Sequence, residues 1–526
     1  VSLLSGPALF INNNLRECIR AMKKMCEYNL LEYVKRLEAA GFVTEYDLKG
    51  CGEKMVRLLT YNSKSVVDST LFICKGAAFK EEYLKESVTS GAIAYVSEKK
   101  YGVDVPYILV KDIRTAMPVL ADLYFCRPWE DLNLIGITGT KGKSTTAYYI
   151  KAIVDDYMAA AGGKESAVIS SIDVYDGVIQ KESHITTPEI VELEEHFRHA
   201  VDSGITYLEM EVSSQALKYD RVDGITFDVG VFLNISEDHI SPVEHVDFDD
   251  YLESKLRIFP QTKTACVNLD ADHSDRIMAA AQSAGRIVTF GTDKNADIRG
   301  DRIRKKGMDT VFNVVCDRFE QEFVLEMPGL FNVENALAAI AIAYVMEIPV
   351  EYMYSGLKRA RSSGRMELYH SKDHKVVAIV DYAHNKLSFD KLFSSTMEEY
   401  QGHRIVTIFG CPGKKAFIRR RDLGTIAGKF SSKVYLVAED PGYEPVEQIS
   451  KDIAQYVEAQ GCPYEMIEDR GEAIGKAILE VTEPTVILIT GKGNETRQKY
   501  GCEYLDCPSD VEFTKKFIAE YDRLHE

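Results

Sequence analysis

Residues 132–150 read LNLIGITGTKGKSTTAYYI. The apolar run Leu134–Ile137 gives way to Thr138-Gly139-Thr140-Lys141-Gly142-Lys143-Ser144, and a helix-compatible segment follows from Thr145. Strand, glycine turn and helix in that order aim unpaired backbone N–H groups and a helix N-terminus at a phosphate. Gly139 and Gly142 let the backbone come close where a side chain would collide. Lys143 suits the β- and γ-phosphates, and the Ser144 hydroxyl suits magnesium. The full GxxxxGK[ST] pattern needs glycine at 137, where Ile137 stands, so only the shorter GxxGKS form is met. The loop says nucleotide phosphate and leaves the reaction open.

Around that loop, 526 residues are enough for roughly three domains, each with its own core. The chain is 45% hydrophobic and 27% charged, the composition of a globular protein. Its net charge of -18 argues against nucleic-acid and anionic-membrane partners, while leaving room for a local basic pocket. Eleven cysteines occur without CxxC pairs, no signal-like segment opens the chain, and no apolar run approaches a membrane span. The expectation is a reduced, cytoplasmic, soluble protein, monomeric or weakly oligomeric.

Residues 1–45 form a helical extension in which Leu15–Ala40 suits one or two amphipathic helices and carries no evident chemistry. Short strands follow at Val56–Tyr61, Thr70–Cys74, Ala92–Val96 and Tyr107–Val110, making residues 46–130 a small α/β module. Arg127-Pro128 marks its end. Residues 131–363 alternate strand and helix as an open, mostly parallel sheet requires. Strand Tyr207–Val212 runs into Ser213-Ser214, and Phe227–Asn234 runs into Ile235-Ser236-Glu237-Asp238-His239. Ligands of such sheets bind beyond the strands' carboxyl ends, so Glu211 and His239 are candidate metal contacts. A second α/β unit occupies 364–526, with strands Val376–Asp381, Ile405–Phe409, Val434–Ala438 and Val486–Thr490. Each of these ends in polar or glycine-rich text.

Several ordered matches make the chain resemble the Mur ligases, which add amino acids to the peptidoglycan precursor with ATP. The matching stretches are TGTKGKST, HITTP (184–188), MEVSSQALKYDRVDGITFDVGVFLNISEDH, MPGLFNVENALAA, SGRMELY, VDYAH and GKGNE. The likeness runs from about Leu58 to Phe517 and is strongest to the members that add the third residue to UDP-N-acetylmuramoyl-L-alanyl-D-glutamate. It implies a three-domain α/β architecture: a small UDP-substrate-binding domain, a central P-loop ATPase-like parallel sheet, and a C-terminal Rossmann-like domain for the incoming amino acid.

The resemblance also implies roles. ATP falls to Thr138, Gly139, Thr140, Lys141, Gly142, Lys143, Ser144, Thr145, Asn332, Asn335, Arg365, Asp381 and His384. Magnesium falls to Ser144, Glu211, His239 and Lys255, the last as a carbamate, a modification that turns a cation into an oxygen ligand. Lys143, Lys255 and His239 form the catalytic set. Ser63, Thr186, Thr187, Ser213 and Arg221 fall where the UDP-muramoyl-dipeptide is gripped, and Glu439, Asp440, Gly491 and Glu495 where the amino acid sits. Asn332 could equally cap the helix that follows it, and Lys255 could be an ordinary helix lysine.

The chain departs from the family pattern at its substrate loops. After Gly76 the usual DGHxF is replaced by Ala77-Ala78-Phe79-Lys80. Asn62-Ser63-Lys64 stands for Asp-Ser-Arg, Gln215 and Asn494 for histidines, and Cys411-Pro412-Gly413-Lys414-Lys415 for CGGDRD. The amino-acid loop reads Glu439-Asp440-Pro441-Gly442-Tyr443-Glu444, with glycine where diaminopimelate-adding members carry arginine. An acidic pocket suits a distal ammonium and repels a second carboxylate. The expectation is an L-lysine-adding ligase, with ornithine, another diamine or meso-diaminopimelate as alternatives. A related ligase of another acceptor, such as folylpolyglutamate synthase, and a non-catalytic nucleotide-binding partner protein are the competing readings.

Overall fold

The structure is a computed structural model that describes residues 27–525 apart from 77–78, 184, 239, 242–243, 307–308, 328–331, 362–363, 365 and 415–416. His184, His239, Arg365, Ala77, Ala78, Lys415 and the first 26 residues of the helical extension therefore lie outside the described residues. The chain divides into two compact units. One gathers the described residues of Val1–Thr140, Tyr157–Val267 and Ala271–Val288, the other those of Lys141–Asp156, Asn268–Asp270 and Thr289–Glu526.

The first unit opens with the helix Leu30–Ala39, whose N-cap Asn29 accepts a hydrogen bond from Glu32 N. Leu30, Tyr33, Val34 and Leu37 recur at helical spacing on its buried face. They pack in the same core as Leu71, Val96 and Ile108 of a five-stranded sheet. Its spatial order is Val43–Asp47, Tyr107–Val110, Ala92–Ser97, Thr70–Ile73, Leu58–Thr60. Only the first pair is antiparallel; the others are parallel.

The same unit holds the strand that leads into the phosphate loop, Asn133–Thr138. It lies between Phe227–Phe232 and Tyr207–Glu211, parallel to both, with Ile137 opposite Glu211 and Thr138 opposite Phe232. That register brings three carboxyl ends level. All but its first residue are buried, as an apolar run with no polar alternation demands. Ala167–Ile169 and Thr262–Asn268 extend the parallel pairing on the two sides.

The second unit contains an antiparallel meander, Ile298–Lys306, Asp309–Val315 and Glu320–Leu325. The helix Asn332–Val345 that follows is buried nearly all round, which its run of Ala and Ile permits. A six-stranded sheet comes next, in the order Glu367–His370, Val376–Asp381, Thr485–Thr490, Arg404–Phe409, Lys433–Leu436, Tyr464–Met466. Only its first pair is antiparallel. The expected C-terminal strands all appear within one or two residues of their expected bounds. A hairpin absent from the sequence reading, Arg497–Tyr500 with Glu503–Asp506, follows the GKGNE loop.

No helix among the described residues is long and apolar enough to cross a membrane. Among the described residues, eight cysteines carry thiols outside any disulfide.

Candidate functional site

The phosphate loop forms as its residues dictate. Gly139 and Gly142 take φ of 154° and 85°, and the helix Lys143–Ala160 starts at once. Thr140 N donates to Asn234 O at 3.0 Å, and Ser236 N donates to Thr140 Oγ1 at 3.1 Å, tying the loop to the end of the neighbouring strand. A Cβ on Gly142 would lie 2.1 Å from Asn335 Oδ1. Asn335 is thus pressed against the loop backbone, and its amide donates to Asn332 Oδ1 at 3.1 Å. Both asparagines are buried at the start of their helix. The Thr138 and Thr146 hydroxyls are buried with no hydrogen-bond partner.

Lys255 is 1% exposed, and Nζ donates to Gly139 O at 2.8 Å while lying 4.8 Å from the Tyr251 ring centroid. Glu211, also 1% exposed, accepts from Ser171 N at 2.8 Å and from Ser171 Oγ at 3.1 Å through Oε1. A buried carboxylate at a strand end fits magnesium, which takes hard oxygen ligands. An unmodified Lys255 amine does not; a carbamate would.

Three of the expected substrate residues come together. Thr187 Oγ1 donates to Glu211 O at 2.9 Å and accepts from Ser213 N at 3.1 Å. Ser213 caps the helix Ser214–Lys218 by accepting from Ala216 N, and Arg221 Nη1 donates to Thr187 O at 3.3 Å. Thr186 stands next to them in the chain. Ser63 sits in the turn Ser63–Ser65 and donates to Glu86 Oε2 at 3.0 Å. Sequence reasoning missed Lys75 and Glu189: Glu189 bridges Lys75 Nζ at 2.5 Å and Arg221 Nε at 3.0 Å. Neither belongs to a motif, and only the fold makes them neighbours.

In the second unit, the loops after the strands converge. Asp381 accepts from Met366 N at 2.9 Å and from Ala383 N at 2.8 Å, and its carbonyl accepts from Gly491 N at 3.2 Å. A Cβ on Gly364 would lie 2.6 Å from Asn494 N, so Gly364 is packed against the GKGNE segment. His384 Nδ1 donates to Tyr382 O at 2.8 Å, which leaves Nε2 as the ring's acceptor nitrogen when the histidine is neutral.

The amino-acid loop is more compensated than its sequence suggests. Asp440 and Glu495 share Lys492, at 3.1 and 2.5 Å. Asp440 also accepts from Lys499 N in the missed hairpin. Glu439 is buried against Gly491, where a Cβ would lie 2.2 Å from Oε2, so residue 491 is restricted to glycine. Burial pushes the Glu439 carboxyl up to about 7, against the pull of Arg470, Arg419 and Lys492. Glu444 is clamped by Arg420 through two bonds of 2.8 Å, and that guanidinium holds its carboxyl down at about 2.

One further buried cluster, Asp176 with His196 and His199, has a metal-like composition. Asp176 Oδ2 accepts from His196 Nδ1 and His199 Nδ1 at 2.7 and 2.8 Å, and Oδ1 accepts from Val178 N and Ile179 N. With all four acceptor positions filled, the carboxylate acts as a lock between the hairpin of Asp173–Tyr175 with Gln180–Glu182 and the helix Ile190–Asp202.

Residues 137–343 match the Mur ligase middle domain, and residues 364–493 the Mur ligase glutamate ligase domain. The chain belongs to the Mur ligase family and is an ATP-dependent, ADP-forming ligase that joins a carboxylate to an amine. It is 33% identical to the UDP-N-acetylmuramyl-tripeptide synthetase of Lactobacillus delbrueckii subsp. bulgaricus, over 90% of this chain and 95% of that one. It is 36% identical to the UDP-N-acetylmuramoyl-L-alanyl-D-glutamate--L-lysine ligase of Streptococcus pyogenes, over 88% and 92%. A solved UDP-N-acetylmuramoyl-L-alanyl-D-glutamate--2,6-diaminopimelate ligase superposes with a TM-score of 0.64 at 22% identity, covering 94% of this chain and 99% of that one. The fold is accordingly the three-domain Mur ligase fold.

Proposed function

We propose that this enzyme adds L-lysine as the third residue of UDP-N-acetylmuramoyl-L-alanyl-D-glutamate, in the cytoplasmic synthesis of the peptidoglycan precursor. The observation that carries the reading is the acidic amino-acid loop Glu439-Asp440, in a chain 36% identical to the L-lysine ligase of Streptococcus pyogenes. Gly442 offers no side chain, and its backbone is taken up by Lys499 O and Gly501 N at 3.1 and 2.8 Å. Among the described residues, the two buried arginines of this domain are committed elsewhere, Arg420 to Glu444 and Asp452, and Arg470 to Asp510. A distal carboxylate on the incoming amino acid would need such a fork of donors. A distal ammonium would find the carboxyls of Glu439, Asp440 and Glu495, the last two sharing one cation, Lys492.

The γ-phosphoryl group of ATP is transferred to an oxygen of the D-glutamate side-chain carboxylate, releasing ADP and leaving an acyl phosphate. The neutral α-amine of lysine attacks the carbonyl carbon, loses its proton, and phosphate departs as the amide forms. Lys143 compensates the gathering negative charge. Magnesium, when bound, screens the same anionic oxygens; Ser144, Glu211, His239 and a carbamylated Lys255 would hold it. Asn332, Asn335, Arg365, Asp381 and His384 serve the nucleotide. Thr186, Thr187, Ser213, Arg221 and Ser63 serve the UDP-substrate, with domains at 46–130, 131–363 and 364–526 and a monomeric or weakly associating chain.

Phosphate release measured with UDP-N-acetylmuramoyl-L-alanyl-D-glutamate and L-lysine, L-ornithine or meso-diaminopimelate tests this. The highest kcat/KM should belong to L-lysine; a higher value for meso-diaminopimelate overturns the assignment.

A further inference from the structure

Thr186 and Thr187 belong to a short connection, residues 183–189, strung between two elements. Before it stands the hairpin of Asp173–Tyr175 with Gln180–Glu182, and after it the helix Ile190–Asp202 begins at once. The base of the hairpin is anchored. Ser171 N and Oγ donate to Glu211 Oε1 at 2.8 and 3.1 Å, and Ser183 N donates to Ile172 O at 3.0 Å. Ser183 Oγ then donates to Ile185 O at 2.8 Å, which carries the order into the connection.

The tip is held separately, by Asp176. Its Oδ1 accepts from the N–H groups of its own turn, Val178 and Ile179, and its Oδ2 from Nδ1 of His196 and His199. An ionised carboxylate only accepts, so both imidazoles carry a proton on Nδ1. The two bonds close spans of 20 and 23 residues, and residues 183–189 lie inside both. Gly177, at φ 87°, seats the tip on the end of the helix: a Cβ there would lie 2.6 Å from both Cβ and Oγ of Ser203. Closing a span at both its base and its tip removes conformations that the connection would otherwise sample.

The charges around the lock favour a proton on it. Burial, the largest cause, works against ionised Asp176, but the bonds from His196, His199 and Ile179 outweigh it and hold the carboxyl well below the usual range. Burial also works against a charged His199, yet Asp176, Glu195 and Asp202 raise that histidine above its ordinary 6.5. Glu192 Oε1 lies 4.0 Å from His196 Nε2, which is buried with no hydrogen-bond partner. Glu192 is bridged to Lys181 of the hairpin at 3.5 Å, and Asp202 to Arg198 at 2.6 Å. The charge on His199 therefore strengthens the lock fully below pH 6.5, and that contribution is lost as pH rises through the raised value.

We propose that Asp176, acting through His196 and His199, is a positioning residue for the UDP-substrate: by pinning the hairpin tip to the helix it holds Thr186 and Thr187 where the muramoyl-dipeptide is gripped. This rests on the substrate residues proposed above. Asp176 touches no substrate itself, and the anchored base of the hairpin keeps Glu211 in place without it.

The test uses the full-length enzyme with Asp176→Asn, which keeps the size and gives up the charge, and His199→Asn, whose amide N–H can stand where Nδ1–H stood but takes up no proton. Turnover of UDP-N-acetylmuramoyl-L-alanyl-D-glutamate by wild type is measured first, so failure of the substrate reading shows before any variant is compared. Asp176→Asn should raise KM for that substrate by ~10-fold, with the KM values for ATP and L-lysine within about twofold of wild type. For His199→Asn, the ratio of its KM for the UDP-substrate to that of wild type should approach one at alkaline pH and rise severalfold as pH falls toward about 6. A role in folding alone would lower the active fraction, and hence kcat, without this pattern. An unchanged KM for the UDP-substrate in Asp176→Asn overturns the proposal, as does an equal rise in all three KM values or a ratio for His199→Asn that ignores pH. If Asp176→Asn does not fold, the ratio for His199→Asn decides alone. Stoichiometric zinc in the native enzyme, lost from Asp176→Asn, would also overturn it, because the imidazoles would then hold metal instead of donating to the carboxylate.

Discussion

Gly142→Ala is the sharpest probe of the phosphate loop, because two separate penalties fall on one methyl group. Gly142 sits at φ 85°, where a side chain costs ~1–2 kcal/mol of backbone strain. The added Cβ would also lie 2.1 Å from Asn335 Oδ1. Asn335 must then turn away and lose its bond to Asn332, worth ~1 kcal/mol. Together these come to about 2–3 kcal/mol, which the loop avoids by leaving its phosphate-holding shape. ATP binding has to restore that shape, so the Kd for ATP measured by calorimetry should rise ~30- to 100-fold. Gly162→Ala is the control, since φ there is 72° and nothing lies within 4 Å of an added Cβ. It should leave ATP affinity untouched. In a double-mutant cycle, Asn335→Ala should relieve the clash, making Gly142→Ala cheaper in its presence. Wild-type ATP affinity in Gly142→Ala, or strict additivity with Asn335→Ala, would refute the contact.

Lys143→Ala, at a half-buried position of the loop, should abolish turnover while the chain still unfolds cooperatively; near-normal kcat would remove Lys143 from catalysis. Lys255→Ala should lose activity that short-chain carboxylates partly restore, and intact mass of the native enzyme in bicarbonate should show the carbamate; an active, unrescuable alanine variant counts against the modification. Glu439 binds its proton more tightly in the folded chain, its pKa moving from 4.5 to about 7, so its contribution to stability is present below pH 4.5 and falls as pH rises toward 7. The difference is roughly 3 kcal/mol, and Glu439→Gln should flatten the stability of the C-terminal region across that window; an unchanged slope would mean the carboxylate is ionised throughout.

Much of the architecture was legible because its signals are local. A parallel strand buried on both faces needs a continuous apolar run, and Leu134–Ile137, Val376–Asp381 and Val486–Thr490 each have one. A glycine turn between strand and helix needs its glycines at fixed offsets, and Gly139 and Gly142 stand there. The hairpin Arg497–Tyr500 with Glu503–Asp506 was invisible because its exposed, charged residues show no clear alternation.

Side-chain pairing was another matter. The sequence by itself determined which residues end the strands: Glu211 at Tyr207–Glu211, Asp381 at Val376–Asp381, and Ser213 just past its strand. It also supplied an acidic loop at Glu439-Asp440 and read it as open negative charge. Only the tertiary structure decided that Lys492 balances Asp440 and Glu495, that Arg420 clamps Glu444, and that Glu189 gathers Lys75 and Arg221. Hydrophobic period and turn chemistry are set by neighbours in the chain. The effective charge of a carboxylate is set by whatever lies within a few ångströms in space, and here those partners come from segments as far as 114 residues away, as in Lys75 and Glu189.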